Sequence, residues 1–205
     1  MPAGAFDSAI VDLRSQRGVD WPSATGLDAL IRECARLVFE QCQKDYRPWL
    51  SESDLQSLFY MTLYRELPTY GVSQSSVHTN YPCRLPDEYR RRLGIHSRQL
   101  FVDLALVIPQ SIRILRGRHW EADLAAAIEV KRGYERFREV QSDLKKLAMI
   151  REAWPDVQVY MLIMGYHGQQ EDIAAVAKIA QDLNVSLLQD NYWASKGKVD
   201  QPGLV

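Results

Sequence analysis

The sequence predicts an α/β fold in which a central mixed sheet is flanked by helices. Short runs rich in β-branched and aliphatic residues, such as residues 101–107 and 126–131, have the composition of buried strands. Longer segments place apolar residues three and four positions apart, which is the periodicity of an amphipathic helix. Segments of these two kinds in alternation are typical of helices that pack on a sheet.

Two helices are predicted before the first strand. In residues 27–43 the apolar side chains recur at helical spacing and define one face that can be buried. A second helix begins after Ser51, because serine followed by acidic residues is a common helix start, and Pro68 ends it near residue 67.

The strands and the later helices follow in a regular order. A strand is expected at residues 75–82, and residues 84–98 form a polar, strongly basic stretch. The two strand runs named above come next. After them a helix, a strand, a helix and a short strand are predicted at residues 137–154, 157–165, 171–183 and 185–189.

Length and composition predict one globular domain. The chain has 205 residues, 46% of them hydrophobic, and a net charge of −1. We expect an N-terminal arm and helix at residues 1–50, a core at residues 51–190 and a flexible tail at residues 191–205. Since no signal-peptide pattern and no apolar run of about 20 residues is present, a soluble, cytoplasmic protein is predicted.

The cysteines and histidines indicate neither a disulfide nor a zinc site. Cys34 and Cys42 lie in one predicted helix, about 12 Å apart along its axis, and Cys83 is distant from both in sequence. The four histidines lack the spacing of zinc ligands. Three reduced thiols are therefore expected.

Charged residues interrupt the two clearest strand runs. Asp103 lies in the first run, and Glu129 and Lys131 lie in the second. Burying a carboxylate is unfavourable unless another group neutralises it, and a divalent cation would do so. Glu129 and Lys131 lie on one face of their strand, about 7 Å apart, while Val130 points to the other face.

This pattern resembles the PD-(D/E)XK nuclease superfamily, in which an Asp on one strand and a (D/E)-x-K triplet on the next form a metal site. The order helix, three strands, helix, strand also resembles its restriction-endonuclease-like αβββαβ core, preceded here by an N-terminal helical extension. The resemblance spans residues 51–189. The family's leading Pro is absent, since Val102 precedes Asp103.

The resemblance implies a nuclease that hydrolyses phosphodiester bonds with Mg²⁺, or with Mn²⁺ as a substitute. It implies a DNA endonuclease in restriction, defence, repair or mobile-element processing. Asp103, Glu129 and the backbone carbonyl of Val130 would bind the metal. Lys131 would orient water or stabilise negative charge, and we expect a cation and burial to lower its pKa against the opposing effect of the carboxylates.

The resemblance also implies contributions from the two helices beside these strands. An acidic residue at the start of the first core helix often points into the site, and Glu52 is favoured over Asp54, with helix capping as the alternative. Gln141, on the helix after the E-x-K strand, is a further candidate. Asp143, Lys145 and Lys146 are interpreted as solvated helix surface.

Basic residues flank the predicted site in sequence and are candidates for phosphate contacts. These are Arg90, Arg91, Arg92, Arg116, Arg118, Arg132 and Arg136. The alternatives are solvated surface or the binding of an acidic protein partner. A homodimer or a partner subunit is compatible with the absence of a visible recognition domain.

Two alternatives compete with the nuclease interpretation. Asp103 would instead bind backbone at a strand end, and Glu129 and Lys131 would form an ion pair on a solvated face. The two alternative functions are a catalytically silent module of the same fold that binds nucleic acid or a protein, and an enzyme outside the nucleases that is built on a similar sheet.

Overall fold

The structure is a computed structural model that describes residues 22–44, 51–92, 94, 100–114, 120–134, 136–165 and 170–190. Most of the predicted N-terminal arm, the predicted tail, and Arg116 and Arg118 lie outside these residues.

The strands of the described residues are named in chain order. They are β1 (Val77–Cys83), β2 (Leu100–Val107), β3 (Arg113–Ile114), β4 (Trp120–Glu121), β5 (Leu124–Lys131), β6 (Gln158–Met164) and β7 (Ser186–Asp190). Five of them form one sheet in the order β1-β2-β5-β6-β7. β1, β2 and β5 are antiparallel neighbours, whereas β5, β6 and β7 are parallel. The predicted mixed sheet is therefore confirmed.

The helices are α1 (Ala24–Lys44), α2 (Glu52–Glu66), α3 (Asp87–Arg92), α4 (Phe137–Ala153) and α5 (Gln170–Asp182). α1 and α2 bury their apolar residues in one core on the sheet, and α4 and α5 bury theirs in a second core. The sheet lies between these two helical layers, as expected of an α/β fold whose parallel strands are covered on both sides.

One short helix and one short β-ribbon were not predicted from the sequence. The short helix α3 lies in the basic stretch, and the two-residue strands β3 and β4 form a separate ribbon between β2 and β5. Both are too short to produce a periodic hydrophobic pattern. The helix α2 begins as predicted, because Ser51 and Asp54 form a reciprocal capping box.

The sheet opens near Asp103. The ladder between β2 and β5 ends with the pair Leu104 and Ile128. On the other side of β2, the strand register places Asn80 opposite Asp103, and Asn80 has a left-handed φ of 48°. Such a residue rotates β1 at this level. On β2, Leu104 belongs to the core under α1 and α2, while Val102, two residues away, belongs to the opposite core.

Cys34, Cys42 and Cys83 are buried and form no disulfide bond. Among the described helices, none combines the length and apolar character that a membrane-spanning segment needs.

The first testable consequence concerns the core under α2. Phe59 is fully buried, whereas Met61 on the same helix is 60% exposed. We expect Phe59→Ala to lower the free energy of unfolding by about 3–5 kcal/mol, because it leaves a cavity. Met61→Ala should change it by less than about 0.5 kcal/mol. Urea denaturation of both variants measures the difference, and similar losses would contradict this packing.

Candidate active site

Asp103 is fixed at the opening of the sheet by contacts to two neighbouring elements. Its Oδ2 accepts a hydrogen bond of 2.8 Å from the backbone N–H of Val130 on β5. Its backbone carbonyl accepts one of 2.6 Å from Nε2 of Gln56 on α2. The side chain of Asp103 thus replaces the ladder bond that β2 would otherwise offer to β5. The predicted backbone contact of Asp103 exists, and it also positions the carboxylate beside the E-x-K strand.

Glu129 is buried on β5, with 2% of its surface exposed. Its Oε1 lies 2.7 Å from Lys146 Nζ but has no hydrogen bond of ordinary geometry. Burial raises the pKa of Glu129 to about 8, with Lys146 opposing and Asp103 and Asp143 adding to the shift. Asp103 is therefore close enough for its charge to act on Glu129. The ion pair on a solvated face, which was the alternative, is excluded for Glu129 by this burial.

Lys131 is buried between two carboxylates. Its Nζ lies 3.0 Å from Glu52 Oε1 and 3.0 Å from Asp143 Oδ2, and it donates to the carbonyl oxygen of Val130 at 3.3 Å. Burial lowers the pKa of Lys131, but Asp143 and Glu52 outweigh burial, so that the pKa lies above its usual value. The pKa of Lys131 was expected to be lowered by a bound cation and by burial, whereas it is raised in this structure. Lys131 is therefore an ammonium.

Asp143 and Lys146 on α4 belong to the site, and their interpretation as solvated surface was wrong. Lys146 Nζ lies 2.9 Å from Asp143 Oδ1, so one chain of ion pairs joins Glu129, Lys146, Asp143 and Lys131. Lys145, by contrast, is exposed. The signal was present in the sequence, because an oppositely charged pair three residues apart borders the apolar stripe of a helix that packs on the E-x-K strand.

The two remaining site candidates differ in position. Glu52 reaches Lys131 from the first turn of α2, whereas the carboxylate of Asp54 accepts hydrogen bonds from the N–H and hydroxyl of Ser51. Gln141 is partly buried on α4, and its side chain makes no hydrogen bond to another described residue. The structure therefore brings Glu52 into the cluster and shows no contact between Gln141 and it.

The arginines of α3 are engaged with residues of the protein itself. Arg90 donates to the carbonyl oxygen of Leu85 and pairs with Asp87. Arg92 lies 2.7 Å from Glu152 near the end of α4. Since Glu152 is nine residues after Asp143, this contact is about 13 Å along the helix from the charge cluster.

The other predicted arginines among the described residues are Arg91, Arg132 and Arg136. Arg91 is exposed, and Arg136 is exposed with a contact of 3.4 Å to Glu139. Arg132 is the first residue after the end of β5 and is partly buried. Arg132 and Arg136 thus lie near the carboxyl end of β5, where Lys131 is placed.

The charge cluster carries an excess of negative charge. It contains four carboxylates against two ammonium groups, which gives a net charge of −2 when all are ionised. The carboxylates are Asp103, Glu129, Glu52 and Asp143, and the ammonium groups are Lys131 and Lys146. Within the described part of the chain, no group of three or more histidine, cysteine, aspartate or glutamate residues has the arrangement of a metal site.

No protein-family model, curated protein or solved structure matches this chain.

The raised pKa of Glu129 predicts a pH dependence of stability. Burial raises the pKa of Glu129 in the folded protein above the value of 4.5 for an unfolded glutamate, so the folded state releases this proton at a higher pH. Between the two pKa values the folded state binds more protons, and its free energy of unfolding should fall as pH rises, by about 1 kcal/mol per pH unit.

Glu129→Gln should remove this dependence, and the exposed Glu171→Gln should keep it. Urea denaturation in EDTA between pH 5 and 8 measures all three proteins. If the free energy of unfolding changes with pH in the same way in the wild type and in Glu129→Gln, Glu129 has an ordinary pKa.

Proposed function

We propose that this protein is a Mg²⁺-dependent nuclease with a restriction-endonuclease-like core that hydrolyses phosphodiester bonds in DNA. The observation that carries the proposal lies where β2 separates from β5. There Asp103 is bound to the E-x-K strand, and Glu129 and Lys131 are joined by ion pairs through Lys146 and Asp143. Asp103 is bound to the backbone of Val130, the central residue of the E-x-K triplet. Glu52 reaches the same Lys131 from α2.

The order of the elements supports the proposal. α2, β1, β2, β5, α4 and β6 follow one another as helix, three strands, helix and strand, with the β3–β4 ribbon inserted before β5. The three strands are antiparallel neighbours, and the fourth is parallel to the third. This order supports the αβββαβ core that the resemblance implies.

The residues of the cluster suit a hard divalent cation. Asp103, Glu129 and the carbonyl of Val130 would hold it, since carboxylate and carbonyl oxygens are the ligands that Mg²⁺ prefers. Glu129 Oε1 is buried without a hydrogen bond of ordinary geometry, and the cluster contains four carboxyl groups against two ammonium groups. When bound, Mg²⁺ would supply charge relief at the phosphate and a lowered pKa for a bound water.

The protein's own contribution is to place a fixed positive charge beside the reacting phosphate. Lys131 is an ammonium whose pKa is raised, so it donates hydrogen bonds and stabilises developing negative charge rather than accepting a proton. Glu52 and Asp143 hold its Nζ from two sides. The position of Lys131 is therefore preorganised by α2 and α4.

A second candidate function is a catalytically silent module of the same fold that binds nucleic acid or a protein partner. The observation that favours it is the pairing of Glu129 with Lys146, which partly neutralises the cluster without a metal ion. The two candidates differ in whether the cluster turns over a substrate.

Cleavage of DNA tests the proposal directly. The purified protein should cut or nick DNA with Mg²⁺ or Mn²⁺, whereas Ca²⁺ should support binding with little cleavage, because it is larger and less strict in geometry. Lys131→Ala should reduce turnover by about 100-fold or more and leave metal binding intact. Asp103→Ala should remove both.

Lys145→Ala is the matched control, because Lys145 is exposed on the same helix as Asp143 and Lys146. It should cut DNA like the wild type. Equal cleavage by the wild type, Lys131→Ala and Asp103→Ala would come from a contaminating nuclease and would contradict the proposed site.

The salt dependence of DNA binding separates the nuclease from a protein-binding module. If Arg136 contacts a phosphate, Arg136→Gln should weaken binding to unrelated duplexes alike and reduce the slope of log affinity against log salt by about one. Arg92→Gln should have a smaller effect, because Arg92 is paired with Glu152. Fluorescence anisotropy across a salt series measures both, and a flat response in all proteins would favour the module.

A further inference from the structure

Lys146 lies at the centre of the charge cluster and takes a position that a cation would take. Its Nζ is 2.7 Å from Glu129 Oε1 and 2.9 Å from Asp143 Oδ1, and it donates to the carbonyl oxygen of Phe101 at 3.3 Å. These oxygens come from β5, α4 and β2. A positive charge surrounded by oxygens from several elements is the arrangement that also characterises bound cations.

The contact between Lys146 and Glu129 affects the proposed metal site, because Glu129 is a proposed metal ligand. Lys146 is 15% exposed and Glu129 is 2% exposed, so water screens this pair weakly. An ammonium and a divalent cation beside the same carboxylate would repel each other strongly in such surroundings. Lys146 and the cation therefore compete for Glu129.

We propose that Lys146 is the counter-ion of Glu129 in the metal-free protein. The divalent cation displaces Lys146 from Glu129, and this exchange sets the affinity of the site for the metal. The proposal rests on the proposed function, because it assumes that Glu129 is a metal ligand. Asp143 is the partner that Lys146 keeps during the exchange.

The physical reason for such a counter-ion is the burial of Glu129. A buried carboxylate without a partner strongly destabilises a folded protein. Lys146 supplies the partner when no metal is bound, so that the two strands which carry the site remain packed against α4. The same contact weakens metal binding, since it has to be broken first.

Metal titration of the full chain tests this role without reference to cleavage. Lys146→Met removes the charge and keeps most of the apolar stem, while Lys146→Arg keeps the charge. With Mn²⁺ as the probe and the free-ion electron paramagnetic resonance signal as the readout, Lys146→Met should bind at least tenfold more tightly than the wild type. Lys146→Arg and the control Lys145→Met should bind like the wild type.

Thermal unfolding gives a second readout. In EDTA, Lys146→Met should melt at a lower temperature than the wild type, because Glu129 is then unpaired. Saturating Mn²⁺ should raise its melting temperature by more than it raises that of the wild type. If Lys146→Met does not fold, Lys146→Gln provides the same comparison with a polar side chain.

The failures of the two proposals are distinguishable. If the wild type binds Mn²⁺ and the uncharged variants bind it equally or more weakly, the counter-ion role is overturned and the metal site stands. If neither the wild type nor the uncharged variants bind Mn²⁺, the metal site fails, and the counter-ion role fails with it.

Discussion

The burial of the Glu129 carboxylate is the constraint on which the rest of the site depends. A carboxylate that is 2% exposed needs positive charge nearby, and Lys146 supplies it from α4. Lys146 also contacts Asp143, and Asp143 and Glu52 both contact Lys131 on β5. The helices on both sides of the sheet are thus tied to its centre by charge as well as by apolar packing.

The opening of the sheet gives this charge cluster its geometry. Because β2 is paired with β5 only from Leu104 onward, the N–H of Val130 has no backbone partner on β2, and Asp103 provides one from its side chain. The left-handed residue Asn80 lies on β1 at the same level. A regular sheet would have placed Asp103 in a continuous ladder, without a carboxylate against the E-x-K strand.

Much of the fold followed from the sequence, since strong periodicity marked each long helix and strand. The α4 segment was predicted to end at residue 154 and ends at Ala153, because its apolar stripe runs to that point. The short α3 and the β3–β4 ribbon were missed, because two to six residues carry no period. For the site, Asp103, Glu129 and Lys131 were identifiable as charges in apolar strands. Asp143 and Lys146 were missed, because their place beside the apolar stripe of α4 put them near the sheet without showing that charges on the sheet would pair with them.

A crystal structure of the protein soaked with Mn²⁺, with anomalous diffraction data, tests the central claim most directly. The account predicts one anomalous peak between the carboxylates of Asp103 and Glu129 and beside the carbonyl of Val130, with Lys146 withdrawn from Glu129. An absent peak, or a peak elsewhere while Lys146 remains on Glu129, would contradict it.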